Sequence, residues 1–353
     1  MATIKDVAKY AKVSLGTVSR VINGATNIDP LLYERTQDAI KITGYQPNAM
    51  AQRLARKKSF DSSRIETHTI GILFYKMSAL WLEQPLVLNY LNGIQKIAKE
   101  YKYHSLIETV PHEPQGIPSC VEEGRVDGLL LKAPHLDQNF ISEISRYCPV
   151  VGMNIYMPHL SIPQVVIDNH GAAICVVERL LQMGHRRIAF INSDPGHSMF
   201  VARSHGFMTA LRQHNLYDPA LVIERETSPD QIIDPQSVFP NMDSAVETLM
   251  NLNPRPTAVL VSNDWGAAGI YQSLKKRGIK IGQEMSVVGF DDDQPLCNIL
   301  EPSLSTVAFP FSRVAEIAAK ILLEMLQRGK HYKEPLIRLV QGEFKQRDSV
   351  SSV

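Results

Sequence analysis

The spacing of apolar and polar positions changes along this chain and divides it in two. Over the first 45 residues the period is helical. Ile4, Val7, Ala8 and Ala11 share one face, and Thr3-Ile4-Lys5-Asp6 fits the capping pattern that opens a helix. That helix breaks around Lys12-Val13, and Ser14 is a good cap for the next. From about Leu15 to Asn23, Val18, Val21 and Ile22 make a buried stripe. Gly16, Ser19, Arg20 and Asn23 make the opposite stripe, and Gly24 is a stop. A third helix starts at Asp29-Pro30, a cap followed by proline, and runs to Gly44. Two helices this short, joined by so few residues, predict a helix-turn-helix. Pro47 then breaks the pattern. Asn48 can cap one or two further turns, too few to be stable alone in water. Lys57 to Thr67 is a polar linker.

From Thr69 onward, near-continuous apolar runs of strand length alternate with helical stretches. Strands are expected at 69–74, 128–131, 150–153, 165–167, 187–191, 258–261 and 286–290, with helices at 91–102, 172–183 and 266–277 among those between them. Such alternation means parallel sheet covered by helices on both faces. About 280 residues are too many for one such sheet, so two lobes are expected. The predicted fold is a small all-α helix-turn-helix head plus an α/β two-lobed body. The head spans 1–46, a hinge helix and linker 47–67, and the body 68–347. Lobe 1 takes about 68–168 plus 293–329, and lobe 2 about 169–292 plus 330–347. The tail from Gln341 to Val353 is polar and carries no heptad run that would make a coiled coil.

Charge sharpens this division. Residues 1–58 hold ten Lys/Arg against four acids, and the other 295 residues hold 27 against 32. A basic head on a mildly acidic body suits phosphate binding. The four cysteines are far apart, so neither a zinc site nor a disulfide framework is expected. Nothing approaches the roughly 18 apolar residues of a membrane span, and Met1-Ala2-Thr3-Ile4-Lys5-Asp6 lacks the apolar core of a signal peptide. The expectation is a cytoplasmic protein with no membrane contact.

In a helix-turn-helix the second helix enters the major groove. Arg20 can bond guanine O6 and N7 together, and Leu15 can touch a thymine methyl. Gly16 permits close approach, while Ser14, Thr17, Ser19 and Asn23 suit phosphate oxygens. In the body, ligands of open α/β sheets bind beyond the C-terminal strand ends. Asn154, Asn192, Asn263-Asp264 and Asp291-Asp292 stand there. Phe74, Trp81 and Trp265 could stack on a sugar face or pack against a lobe. Asp264 and Asp292 could equally cap helices or join lobes. His185 reads as structural.

Thr3-Ile4-Lys5-Asp6-Val7-Ala8, Thr17-Val18-Ser19-Arg20-Val21-Ile22-Asn23-Gly24, Gly44-Tyr45-Gln46-Pro47-Asn48 and Ala51-Gln52-Arg53-Leu54 resemble the head of the LacI/GalR family. The body resembles that family's sensor, itself similar to periplasmic sugar-binding proteins, at Asp168-Asn169, Gly184-His185-Arg186-Arg187, Arg203-x-x-Gly206-Phe207, Asn263-Asp264 and Val287-Val288-Gly289-Phe290-Asp291-Asp292. The resemblance implies Leu15, Gly16 and Arg20 as base readers and Leu54 as a wedge in the minor groove, within a DNA-contact set that adds Thr3, Ser14, Thr17, Ser19, Asn23, Asn48, Gln52 and Ala55. For the effector it implies Arg203, Asn263 and Asp291, beside the candidates Asn154, Phe74, Trp81 and Trp265. Lys12 departs from the family, which often has Gly or Asn there. So do Thr36 and Thr43, where it usually has apolar residues.

The expected function is a transcription regulator, a repressor of a metabolic operon. Its partners would be a pseudo-palindromic double-stranded operator, a second copy of itself and a small effector, most simply a sugar or sugar derivative. A protein co-regulator stays open. A plain uptake binding protein would leave the head unexplained. An enzyme would need a nucleophile elbow, a phosphate loop or a zinc motif, and none is present. No cofactor and no metal are expected.

Overall fold

The computed structural model describes residues 3–22, 28–44, 66–77, 79, 82, 85–110, 116–134, 137–225, 240–328 and 336–353. The chain forms two compact units, Met1–Glu66 and Thr67–Val353.

The described residues of the first unit form three helices, α1 (Ile4–Ala11), α2 (Leu15–Ile22) and α3 (Pro30–Thr43). Val7, Ala8, Ala11, Val18 and Ala39 form its core. So few apolar groups bury little surface, and local bonds define much of the shape. Arg35 Nη2 donates to the terminal carbonyl of Ala11 at 2.8 Å. Lys12 ends α1 with φ 53°, which explains why Gly or Asn suits that place. Asp29 accepts from Leu31 N and Leu32 N, and Gly44 ends α3 at φ 64°. Thr36 is fully buried, but its hydroxyl donates to Leu32 O at 2.7 Å; Thr43 treats Ala39 O alike. The polar departures therefore satisfy themselves within one turn.

The second unit contains two six-stranded sheets. The first joins β1 (Thr69–Tyr75), β2 (His104–Val110), β3 (Gly128–Lys132), β4 (Val150–Met153), β5 (Gln164–Ile167) and β11 (Ile337–Val340), in the order β11-β5-β4-β3-β1-β2. The second joins β6 (Ile188–Asn192), β7 (Val222–Glu224), β8 (Ala258–Val261), β9 (Ser286–Asp291), β10 (Ser305–Ala308) and β12 (Glu343–Lys345), in the order β12-β10-β9-β8-β6-β7. Every pairing is parallel except β10–β12. The helices are α4 (Pro85–Glu100), α5 (Ser119–Glu122), α6 (Gln138–Ile144), α7 (Asn169–Gln182), α8 (Ser198–Gln213), α9 (Asp243–Asn251), α10 (Asp264–Lys276), α11 (Gln294–Ile299) and α12 (Phe311–Arg328).

The chain passes between sheets after β5, after β10 and after β11. This corrects the division expected above. Residues 293–308 do not belong with the first lobe, because Ser305–Ala308 pairs with β9 in the second sheet. Ile337–Val340 does not belong with the second, because it pairs with β5. The crossings fall later than the apolar runs suggested, since β10 begins Ser305-Thr306 and offers no such run. The polar tail is also part of the second lobe. Ser349 Oγ donates to Val287 O at 2.7 Å, and Val353 N donates to Met183 O at 3.0 Å.

At the start of this unit Thr67 N donates to both oxygens of buried Asp127, at 2.7 and 3.0 Å. Asp127 immediately precedes β3. Among the described residues no helix is long and apolar enough to cross a membrane, and no group of His, Cys, Asp and Glu could hold a metal.

Candidate DNA-reading face and effector cleft

Helix α2 separates its residues by task. Val18 and Val21 are buried. Leu15, Gly16 and Arg20 are exposed, Leu15 by 47%. A Cβ added at Gly16 would meet nothing closer than Ser14 Oγ at 3.7 Å, so packing inside the head does not demand glycine there. Close approach from outside is what its absence of a side chain permits. The shorter polar residues already have partners. Ser14 Oγ accepts from Thr17 N at 3.1 Å and shares a 2.9 Å bond with Thr17 Oγ1. Thr17 is buried, so its side chain completes the cap instead of standing outward as a phosphate contact. Thr3 donates to Asp6 Oδ2 from both its backbone N–H and its hydroxyl, each at 2.8 Å, within the capping box of α1. Ser19 is half-buried. Asn23, Asn48, Gln52, Leu54, Ala55 and Trp81 lie outside the described residues, as does most of the expected hinge.

In the body the C-terminal strand ends gather the polar groups. Arg203, on α8, is 1% exposed. Its Nε donates to Asn169 Oδ1 at 2.8 Å, its Nη1 to Ser262 O, and its Nη2 to Asp291 Oδ1 at 2.8 Å. Its guanidinium carbon lies 5.3, 4.9 and 5.0 Å from the ring centres of Phe200, Phe290 and Phe309. Each nitrogen is bonded and the planar group is walled by aromatic rings, the arrangement that makes a buried guanidinium tolerable. Asp291 ends β9 with φ 110°, and Asp292 follows at φ 56°. Two successive residues in a strained region re-aim the chain where the carboxylate is needed. Burial pushes the Asp291 carboxyl upward and the Arg203 charge pulls it back.

Other expected site residues hold different posts. Asn263 caps α10 by accepting from Gly266 N at 2.8 Å, and Ser193 Oγ reaches it at 3.4 Å. Asn154, after β4, accepts from Ile167 N at 3.2 Å, and its amide donates to Met199 Sδ on α8. Trp265 donates its indole N–H to Asp293 Oδ2 at 3.2 Å. Phe74 is wholly buried in the core with Met77, Val87 and Tyr90, which favours packing over stacking on a ligand.

The neighbouring acids are structural. Asp264 accepts from Thr306 Oγ1 at 2.6 Å and from Asp293 N at 2.9 Å, tying α10 to β10 and to the start of α11. Burial, with the nearby Asp291 charge, pushes its carboxyl up to about 8. A Cβ at Gly289 would stand 2.1 Å from its Oδ1, so this packing requires glycine. Asp292 holds Arg347 Nη2 at 2.6 Å. His185 is buried between Thr257 Oγ1 at 2.8 Å and Ser351 O at 3.0 Å, and burial lowers its pKa. The imidazole is then neutral, with Nε2 donating to the carbonyl.

Two features escaped the sequence. Asn169 is a direct partner of Arg203. Lys132, the last residue of β3, is 5% exposed, and burial lowers its ammonium to about 8. A lysine ending the run Gly128-Leu129-Leu130-Leu131 was the signal: a charge closing a buried strand at its ligand-facing end.

Comparison with known proteins agrees with both units. Residues 3–48 match "Bacterial regulatory proteins, lacI family", and residues 177–350 match a periplasmic binding protein-like domain. The HTH-type transcriptional regulator GalS of Salmonella typhimurium is 30% identical over 328 residues, covering 92% of this chain and 90% of its own. The ribose operon repressor of Haemophilus influenzae is 26% identical and covers 96% of both chains. Among solved structures, the lac repressor dimer bound to operator and the anti-inducer ONPF aligns over 99% of both chains, with TM-score 0.65 and 25% identity. The chain thus belongs to the lacI family of bacterial regulatory proteins, and is a DNA-binding transcription regulator whose body is a two-lobed ligand-sensing domain.

Proposed function

We propose that this chain is a cytoplasmic repressor of a metabolic operon, acting as a homodimer on a pseudo-palindromic operator and controlled by a sugar or sugar derivative held between its lobes. The observation that carries it is the Arg203–Asp291 pair at the strand ends of the second sheet, with Asn154 reaching from the first lobe to α8. A fork of donors, a carboxylate and amides suit a polyhydroxylated ring. The likeness to a ribose operon repressor and to an operator-bound dimer supports the same reading. Leu15, Gly16 and Arg20 would read bases, twice per dimer. A ligand preferring one lobe arrangement would change DNA affinity by a coupling of about 1–3 kcal/mol.

The test is fluorescence anisotropy of the full-length protein on DNA from upstream of its own gene, against random DNA, over a salt series. Preference for the former, weakened by salt and altered by one sugar of a panel, is the expected outcome. Equal binding to both DNAs at every salt concentration would remove the reading.

A further inference from the structure

We propose that the effector is a saccharide bearing one negatively charged group, a sugar acid or a sugar phosphate, and that Lys132 receives that charge. This rests on the cleft being the effector site, as proposed above, and narrows the ligand to one chemical class.

Lys132 closes β3 at the C-terminal edge of the first sheet, the edge at which ligands of such sheets bind. It is more than nine-tenths buried, and among the described residues its ammonium makes no hydrogen bond and no ion pair. The charges it feels are Asp291 and Arg203, both on the second lobe. Those two already bond each other at 2.8 Å and cancel. Asp264, the other buried acid nearby, is engaged with Thr306 and Asp293 N, and its high pKa leaves it largely uncharged at neutral pH. Lys132 is thus a cation of this edge to which, among the described residues, no carboxylate is bonded.

A buried ammonium without a counter-ion is costly. A neutral sugar would supply hydroxyls but no charge, and would displace the water that Lys132 still reaches. An anionic group supplies the missing charge and accepts up to three hydrogen bonds from the ammonium. Because Lys132 stands on the first lobe and Arg203–Asp291 on the second, one ligand with an acid group and a ring of hydroxyls would contact both.

The experiment is isothermal titration of the full-length protein with glucose, galactose and ribose, and with their matched aldonic or uronic acids and terminal phosphates. At least one acid or phosphate should bind 100-fold or more tightly than its neutral parent, and the two charged sets distinguish carboxylate from phosphate. Lys132→Met should lose 30-fold or more for that anion while its melting temperature stays equal or rises. Lys132→Gln is the second variant should the first not fold. Tighter binding of a neutral sugar than of its anions would overturn the inference and leave the sugar-sensing reading intact. So would undiminished anion binding by both variants. Failure of every compound to bind would remove both.

Discussion

The head and the cleft bury charge and expose function in opposite ways. On α2, Leu15, Gly16 and Arg20 are exposed, while structure rests on Val18, Val21 and the Ser14–Thr17 cap. Among the described residues, these three exposed residues take no part in the core of the head. In the cleft, Arg203 commits three of its five N–H groups to Asn169, Ser262 and Asp291. The same side chain would hold the lobe and serve the effector. A surface that must meet a partner as large as a duplex can keep its readers separate from its core. A pocket enclosing a small molecule is built out of the core itself.

The largest expected effect tests that difference directly. Arg203→Ala should cost the body about 2–4 kcal/mol, because it removes a buried guanidinium packed among three rings and leaves half-buried Asp291, Asn169 Oδ1 and Ser262 O without their donor. Urea denaturation of the variant checks this, and an unchanged midpoint would mean the cleft is no more structural than the reading face. Next is Asp264→Asn. The Asp264 carboxyl is neutral in the folded body below about 8 but ionises near 4 when unfolded. Its stabilising contribution is complete below pH 4 and declines as pH rises toward 8, by up to about 1.4 kcal/mol per pH unit. The asparagine cannot ionise, so its melting temperature should gain on the parent's steadily from pH 5 to 8. Parallel curves would place the charge of Asp264 outside the stability of the lobe.

Arg20→Ala should leave the melting temperature unchanged and cost about 1–3 kcal/mol of operator discrimination. A competition assay against random DNA measures it, and a fold defect would erase the contrast drawn above. The smallest effect belongs to Ser14→Ala, about 1 kcal/mol of head stability through the lost cap. Circular dichroism of a head fragment is not required: hydrogen exchange of α2 amides in the full chain reports it. Faster exchange at Thr17 with no change in the body is the expected pattern.

The helical head was legible because caps are local. Ser14, Asp29-Pro30 and Gly44 act within a turn of where they stand, so spacing alone places them. The central strands were legible for another reason: buried on both faces, β3, β4, β8 and β9 read as apolar runs. What failed was at the edges and crossings. β2 is half-exposed and mixed in pattern, β7 has three residues, and β10 opens with serine and threonine. Their place depends on partners far along the chain, which periodicity does not record. The same limit hid the cleft. Arg203 and Asp291 are 88 positions apart, and only the family resemblance joined them. Lys132 carried a local sign, but the charges that act on it, Asp291 and Arg203, stand on other elements far along the chain.

The clamp between Thr67 and Asp127 gives the body a fixed point of attachment. Lys132 lies five positions beyond Asp127 along β3, and a strand rises about 3.3 Å per residue, so the two ends are roughly 17 Å apart on one strand. Thr67 is thereby tied to the first sheet at two places, through Asp127 ahead of β3 and through the start of β1 two residues on. A ligand held at Lys132, as proposed above, would sit at the far end of the strand that Asp127 anchors, with only buried β3 between them.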